Sequence, residues 1–253
     1  MENKEVFDFI DIFKNNLLEK LDNIIGIYLF GSLAYGGFDE KSSDIDLVVV
    51  TKVLLNKSEI IIVKDIHKNL NSINNIWSKR FEVSYTPMDM FKVKNIPILP
   101  RPYYNEYFYD EATYGNEWLI NNYLLEKYGK TIYGPEFKTL LQYKINIDEI
   151  IISCINDFYK EWFPKLTDDK WLSNSHYQAY IILNICRIMY TINNSEIANK
   201  KESAKWVKKK YPEWIELIEE AENWNYNKTI DKKFEVKEYI KYMDNKIYEY
   251  KSK

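Results

Sequence analysis

The sequence predicts an α+β fold in which a small sheet domain, residues 1–145, precedes an α-helical bundle, residues 146–253. Three observations support this prediction. Apolar, β-branched runs typical of strands lie in the first half of the chain, at residues 24–30, 44–50 and 80–86. Apolar residues at helical spacing flank these runs, and from residue 148 onward the pattern is helical. A chain of 253 residues with 46% hydrophobic residues can bury two modest cores.

Composition excludes several classes of partner. A formal net charge of −3 gives no electrostatic case for binding long nucleic acid, because that affinity depends on neutralising phosphates. No apolar run approaches the length of a membrane span, so no membrane partner is predicted. The two cysteines, Cys154 and Cys186, lie far apart in a chain without a signal peptide, which favours core thiols and a cytoplasmic location.

Two amphipathic helices are predicted to cover the sheet. Residues 5–21 carry apolar side chains four apart, and residues 58–76 carry the stripe Ile61, Val63, Ile66, Leu70 and Ile73. His67 lies in the second helix. With no second metal-type ligand nearby, it is predicted to be an ordinary surface or boundary histidine, and no zinc site is expected.

The segment after the first predicted strand contains small and polar residues. Gly31, Gly36 and Gly37 can adopt positive φ or allow a close approach of the backbone, and Ser32 adds a hydroxyl donor. Amides exposed at such a turn bind phosphate. The turn therefore predicts a phosphate-binding loop.

Two aspartates, Asp44 and Asp46, open the second predicted strand. Side chains two apart on a strand share a face, so the two carboxylates point the same way while Ile45 points into the core. Carboxylates held so close repel each other unless a cation lies between them, and Mg²⁺ prefers hard oxygen ligands. The alternative is a turn with two solvated acids. The preceding glycine-serine turn and the following β-prone run favour the metal site.

The spacing of Gly31-Ser32 from Asp44 and Asp46 resembles the signature of the DNA polymerase β-like nucleotidyltransferase superfamily. Within it, the run Ser43-Asp44-Ile45-Asp46-Leu47 after Gly36-Gly37 resembles the streptomycin and spectinomycin adenylyltransferases. The resemblance implies a mixed-sheet nucleotidyltransferase domain followed by a helical domain. It also implies ATP as co-substrate, with Gly31, Ser32 and Ser43 near the nucleotide and Asp44 and Asp46 as metal ligands.

Glu82 lies on the third predicted strand, with Ser84 on the same face and Phe81 and Val83 toward the core. A glutamate there is often a solvated charge. A third carboxylate beside the aspartate pair is, however, what two-metal phosphoryl transfer requires. Phe-Glu-Val-Ser also resembles the corresponding Leu-Glu-Val-Thr of the adenylyltransferases. Glu82 is therefore predicted to complete the second of two Mg²⁺ sites and to be the candidate base.

The resemblance continues into the helical half. Cys186-Arg187-Ile188-Met189-Tyr190 and the later Ile197-Ala198-Asn199-Lys200 are similar to family motifs whose arginine and lysine contact nucleotide phosphates. This implies nucleotide-binding roles for Arg187 and Lys200. Glu117, at the start of a helix predicted for residues 118–128, corresponds to an acidic nucleotide contact of the family, although a helix-N-terminal glutamate needs no function.

The acceptor is less clearly indicated. Residues 97–109 are predicted to be a proline-marked loop followed by an aromatic stretch that borders the substrate cleft. Trp162, Asp168 and Tyr177 lie where the family contacts its drug, and Asp169 is an alternative to Asp168. An acid of the family is replaced near Tyr177, which favours spectinomycin over the more cationic streptomycin.

The predicted function is Mg²⁺-dependent transfer of AMP from ATP to a hydroxyl of an aminoglycoside or aminocyclitol antibiotic by a monomeric enzyme. Two other transferases are alternatives: a protein AMP-transferase of the toxin–antitoxin kind, and an enzyme for another small molecule such as a lincosamide. A catalytically dead nucleotide-binding or interaction module is a third alternative. Retention of all three carboxylates, Asp44, Asp46 and Glu82, argues against that module.

Overall fold

The structure, a computed structural model, describes residues 3–73 and 75–252. The chain divides into two compact units. The first contains Met1–Phe38 and Ser43–Lys144, and the second contains Asp39–Ser42 and Ile145–Lys253. The first unit holds a mixed sheet and the second is helical, so the predicted α+β fold is confirmed.

The first unit is organised around one sheet. Its strands are β1 (Ile24–Phe30), β2 (Ile45–Thr51), β3 (Phe81–Pro87), β4 (Arg101–Asn105), β5 (Tyr107–Ala112) and β6 (Lys130–Tyr133). Across the described residues the order is β5-β4-β3-β2-β1-β6. β2 and β3 are parallel and the other neighbours are antiparallel. The starts of β2 and β3 therefore lie side by side.

Helices cover this sheet because its strands are apolar on both faces. The helices of the first unit are α1 (Lys4–Lys20), α2 (Gly31–Tyr35), α3 (Lys57–Ser72) and α4 (Trp118–Tyr128). One core joins α1 and α3 to β1, β2 and β3 and contains Phe13, Ile66 and Val49. A second core contains Tyr28, Val48 and Trp118. The predicted covering role of α1 and α3 is thus confirmed.

Helix α3 is shorter than predicted and its apolar stripe is narrower. It begins after Asn56 in a capping box, in which Asn56 Oδ1 accepts from the Glu59 N–H (3.1 Å) and Glu59 Oε2 accepts from the Asn56 N–H (2.8 Å). Val63, Ile66 and Leu70 are buried, whereas Ile61 and Ile73, which the stripe also included, are exposed. The spacing of apolar residues in the sequence therefore predicted a wider buried face than α3 has.

His67 is buried, so its prediction as a surface or boundary histidine was wrong. Its Nε2 lies 2.7 Å from the Tyr85 hydroxyl, and its ring stacks on Tyr104 at 3.8 Å between centroids. Phe13, Phe81 and Phe108 also lie around the ring. Burial lowers the pKa of His67 to about 3, because the charged imidazolium is poorly solvated there.

The folded protein should lose stability on acidification through His67. Its folded pKa of about 3 lies below the ordinary value of 6.5, so neutral His67 contributes its full stabilisation above pH 6.5 and loses it as pH falls toward 3. Linkage gives a loss of about 2 kcal/mol in the free energy of unfolding between pH 7 and pH 5. Urea titrations at both pH values measure it.

The control for this prediction is the other histidine, His176. His67→Gln keeps a polar partner for Tyr85 but removes the titration, so its pH dependence should be flatter than that of the natural protein. His176→Gln should leave the pH dependence unchanged. Equal slopes for the natural protein and His67→Gln would contradict the assignment.

The predicted loop and aromatic stretch at residues 97–109 in fact contain β4 and the first half of β5. The two strands pair antiparallel, with Glu106 between them at a φ of 56°. The hairpin was not predicted because proline lacks the N–H that pairs with a neighbouring strand, so a segment with several prolines indicates a loop. Pro102 lies where the register shifts between Arg101 and Tyr103, a position that tolerates proline. Strand β6, at the other edge of the sheet, also lacked a recognisable pattern.

The second unit is a set of packed helices, as predicted. They are α5 (Ile147–Asp157), α6 (Ser175–Asn194), α7 (Lys200–Lys210), α8 (Ile215–Glu222) and α9 (Lys233–Lys251). Helix α6 is central and mostly buried. Cys154 and Cys186 are buried free thiols, also as predicted. Among the described helices, none combines the length and apolarity needed to cross a membrane.

Candidate active site

The turn between β1 and α2 has the backbone geometry that its glycines predicted. Gly31, Gly36 and Gly37 have φ values of 64°, 99° and 87°. An added Cβ at Gly31 would overlap the Asp46 carboxylate, so the side chain of Asp46 lies directly against the turn. Ser32 is the second residue of α2 and is partly buried. The structure therefore brings the predicted phosphate-binding turn and one predicted metal ligand together.

The three predicted carboxylates lie at the starts of β2 and β3. Asp46 is directly opposite Glu82 in the parallel register of the two strands. Asp44 immediately precedes β2 rather than opening it, because the first ladder hydrogen bond runs from the Ile45 N–H to the Arg80 carbonyl (2.8 Å). Ser43 precedes Asp44 and is partly buried. Deeper in β2, the face that carries Asp46 continues as buried Val48, so the strand itself fixes the direction of the carboxylate.

The electrostatics of Glu82 show how crowded this cluster is. Burial raises the pKa of Glu82 to about 6, and the negative charges of Asp44 and Glu117 act in the same direction. Hydrogen bonding by Tyr103 and the positive charge of Arg101 oppose the shift. Glu117, at the start of α4, is therefore near Glu82. Acidic groups from three separate segments meet here, and a cation would stabilise them.

Sequence reasoning missed the side chains of β4 that contact Glu82. Asn105 is opposite Glu82 in the antiparallel register, and its Nδ2 donates to Glu82 Oε2 (3.4 Å). The Tyr103 hydroxyl donates a second hydrogen bond to Glu82 and also lies near Asp46. The alternation of Arg101, Tyr103 and Asn105 in an aromatic-rich run was the signal that could have located this strand.

The chemistry of this cluster fits a hard divalent cation, because its donors are carboxylate oxygens on adjacent strands. Within residues 3–73 and 75–252, no group of three or more His, Cys, Asp or Glu side chains is already arranged to hold a metal ion. Asp44, Asp46 and Glu82 are the residues that would hold Mg²⁺.

Arg187 and Lys200, the predicted phosphate contacts, both lie in the second unit. Arg187 is partly buried in α6, and its Nη1 donates to Asn184 Oδ1 (3.3 Å). Lys200 begins α7, and its Nζ lies 5.5 Å from the centroid of the Tyr180 ring. Helices α6 and α7 pack against each other. Each cation is held beside a polar or aromatic neighbour within its own unit.

The predicted drug contacts of the second unit form part of an aromatic cluster, Trp162, Trp171, Tyr177 and Tyr180. Tyr177 stacks on Trp171 (4.7 Å), and Trp162 meets the Tyr180 ring edge to face (5.6 Å). The indole N–H of Trp162 donates to the Asp157 carboxylate (2.7 Å). Trp171 was not singled out from the sequence, yet its ring centroid lies 6.5 Å from that of Trp162.

The acids beside this cluster are paired with lysines. Asp168 accepts a hydrogen bond from the Trp171 N–H (3.0 Å) and lies 3.6 Å from Lys165 Nζ. Asp169 forms an ion pair with Lys237. Lys165 Nζ also lies 4.9 Å from the Trp171 ring centroid. Positive charge therefore already occupies the neighbourhood that a cationic ligand would need.

Comparison with known families matches both units. Residues 10–99 match the family described as nucleotidyltransferase domain. Residues 149–246 match the family described as aminoglycoside adenylyltransferase, C-terminal domain. The first match includes Gly31, Ser32, Asp44, Asp46 and Glu82. The second includes Arg187 and Lys200.

Individual relatives are similar over most of the chain. A spectinomycin 9-adenylyltransferase of Campylobacter jejuni is 27% identical over 199 residues, which cover 75% of this chain and 73% of that protein. One of Staphylococcus aureus (strain N315) is 24% identical over 246 residues, covering 89% and 88%. A crystal structure of spectinomycin adenyltransferase from Enterococcus faecialis with ATP and spectinomycin has a TM-score of 0.75 at 21% identity, covering 94% of this chain and 98% of that chain.

The match of the sheet half to the nucleotidyltransferase domain supports a nucleotidyltransferase. More particularly, the protein is a nucleotidyltransferase that resembles the aminoglycoside adenylyltransferases, because its helical half matches their C-terminal domain. This confirms the resemblance inferred from the sequence. The toxin–antitoxin type of AMP-transferase is disfavoured, since it usually lacks such a helical domain.

Proposed function

We propose that the protein transfers AMP from ATP to a hydroxyl of an aminocyclitol or aminoglycoside antibiotic, with spectinomycin as the preferred acceptor. The observation that carries the proposal is the register of Asp46 opposite Glu82, beside the Gly31 turn. The names of the relatives supply the acceptor class. The enzyme is proposed to act in the cytoplasm as a monomer.

In this mechanism Asp44 and Asp46 would hold Mg²⁺, and Glu82 would complete a second Mg²⁺ site. Bound Mg²⁺ would neutralise the phosphate charge that develops during transfer. Glu82 accepts the proton of the acceptor hydroxyl, and that oxygen forms a bond to the α-phosphorus. The bond from the α-phosphorus to the bridging oxygen breaks in line, and pyrophosphate leaves. Gly31, Ser32, Ser43 and Glu117 are the proposed nucleotide contacts, and Arg187 and Lys200 are the proposed phosphate contacts.

An acceptor screen tests the proposal. Purified protein with ATP and Mg²⁺ is assayed for pyrophosphate release across spectinomycin, streptomycin, other aminoglycosides and lincosamides, and mass spectrometry detects the AMP adduct. We expect adduct formation with an aminocyclitol or aminoglycoside, and none when Mg²⁺ is chelated. An adduct on a lincosamide alone, or on a protein, would refute the proposed acceptor class.

The preference for spectinomycin rests on the charges around Trp162, Asp168 and Tyr177, the proposed drug contacts. Streptomycin is the larger and more cationic drug and depends more on acidic and aromatic contacts. Asp168 is close to Lys165, and the same lysine lies over the Trp171 ring. An acid already paired with a lysine, and an aromatic face already covered by one, attract a second cation poorly.

We expect kcat/KM for spectinomycin to exceed that for streptomycin by roughly 10- to 100-fold, the equivalent of one charge-assisted contact. Lys165→Gln removes the competing charge, so streptomycin should gain most of that factor while spectinomycin changes little. Lys160→Gln, an exposed lysine in the preceding turn, is the matched control. A streptomycin value equal to or above the spectinomycin value in the natural protein would contradict the preference.

A further inference from the structure

Strand β4 lies on the side of Glu82 opposite to Asp46. β3 pairs with β2 through Asp46–Glu82 and with β4 through Glu82–Asn105, so Glu82 is between an acid and an amide in one row across the sheet. Ser84 and Tyr103 form the next row. Side chains two apart share a face, so Tyr103 and Asn105 project on the same side as Glu82. The backbone register therefore directs both toward Glu82.

Both side chains are hydrogen-bonded to Glu82 and to each other. Asn105 Nδ2 lies 3.4 Å from Glu82 Oε2, and the Tyr103 hydroxyl donates to the same carboxylate. Tyr103 and Asn105 are also hydrogen-bonded to each other. Two donors fix the orientation of a carboxylate much more tightly than one, because rotation about the last side-chain bond breaks both bonds.

Tyr103 is itself anchored by the neighbouring arginine. The Arg101 guanidinium lies 5.2 Å from the Tyr103 ring centroid, its Nε donates to Ser84 Oγ (2.6 Å), and its Nη1 donates to the Thr113 carbonyl (2.7 Å). Ser84 is opposite Tyr103 in the strand register. A guanidinium held at two points gives the phenol ring a fixed support.

We propose that Tyr103, assisted by Asn105, is the positioning residue that aims the Glu82 carboxylate at the metal and acceptor. This inference rests on the proposed function, since it takes Glu82 as metal ligand and base. In this proposal Tyr103 and Asn105 act through Glu82 and not on the reacting atoms. Partners that orient a ligand in this way typically change metal affinity or activity by about 10- to 100-fold when removed.

The test uses Tyr103→Phe, which removes the hydroxyl and keeps the ring on Arg101. Mn²⁺ is titrated calorimetrically into the full-length protein with an ATP analogue that cannot be cleaved between the α- and β-phosphates. We expect Mn²⁺ affinity to fall by about 10-fold. Tyr109→Phe is the matched control, because Tyr109 is opposite Tyr103 on β5 and is half-exposed. Its Mn²⁺ affinity should equal that of the natural protein.

A double-variant cycle separates positioning from a purely structural role. In a Glu82→Gln background Tyr103→Phe should cause no further loss of Mn²⁺ affinity, because the hydroxyl acts through Glu82. In transfer assays kcat should fall while KM for the acceptor stays unchanged. Asn105→Ala should produce a smaller loss in the same direction, and thermal melts establish that each variant is folded.

Several outcomes would overturn the inference. The inference is wrong if the Mn²⁺ affinity of Tyr103→Phe is within twofold of that of the natural protein. It is also wrong if Tyr103→Phe lowers Mn²⁺ affinity as much in the Glu82→Gln background as in the natural protein. Failure of the natural protein to bind Mn²⁺ would overturn both this inference and the proposed mechanism. Coupled Mn²⁺ losses without transfer to any antibiotic would support the positioning role and refute only the proposed acceptor.

Discussion

Asp46→Asn should nearly abolish AMP transfer while leaving the fold intact, with kcat/KM lowered by roughly 10³-fold or more. The substitution removes a charged ligand without changing side-chain size, and metal stabilisation of the transferring phosphoryl group is worth several kcal/mol, at about 1.4 kcal/mol per tenfold in rate. Asp44→Asn and Glu82→Gln should have effects of the same order. Pyrophosphate release with spectinomycin at a fixed Mg²⁺ concentration measures all three.

The matched control is Asp110→Asn. Asp110 is also a strand carboxylate of the same sheet, but it pairs with Lys64 on the surface. Its activity should equal that of the natural protein. Far-ultraviolet circular dichroism should be unchanged in all four variants. Ordinary turnover by the variant of any one carboxylate would remove that residue from the proposed metal site.

Arg187→Ala and Lys200→Ala should each weaken ATP binding by roughly 1.5–3 kcal/mol, the usual scale of a hydrogen bond to a charged group. The expected rise in Kd is therefore about 10- to 150-fold. Arg187 is suited to this role because its planar guanidinium sits on the rigid central helix α6, beside Asn184. Calorimetric titration with ATP in the presence of Mg²⁺ tests both variants.

Lys201→Ala is the control for charge alone. Lys201 is the next residue on α7 and is exposed, so its removal changes the net charge as much as Lys200→Ala does. ATP affinity should be unaffected. If neither Arg187→Ala nor Lys200→Ala changes the Kd, the nucleotide is held by the first unit alone.

Much of the fold could be predicted because its elements are marked by local patterns. The four-residue spacing from Phe9 to Leu21 gives α1, and the β-branched runs give β1 and β2. The hairpin β4–β5 was missed because Pro97, Pro100 and Pro102 indicate a loop. Proline in a strand is tolerated only where the ladder is irregular, and such an irregularity depends on the neighbouring strands.

The behaviour of His67 shows a second limit of sequence reasoning. A polar residue within an amphipathic stripe is equally compatible with the boundary and with the core. A polar side chain is buried where the fold supplies a hydrogen-bond partner. For His67 this partner is the Tyr85 hydroxyl, 18 residues away in the chain. The buried face of α3 thus includes a histidine and excludes Ile61 and Ile73.

The sequence by itself determined the features that depend on neighbouring residues: the glycine turn, the acidic start of β2 around Asp46, and most of the helices. Tertiary structure alone decided which distant groups meet. The parallel register places Glu82 opposite Asp46, and the antiparallel register of β4 brings Tyr103 and Asn105 to Glu82. The alternation of residues along a strand fixes the face on which a side chain lies. It does not fix the cross-strand neighbours of that side chain, because a shift of one residue in the pairing would change them. The packing of the strands in the folded sheet therefore selects these neighbours.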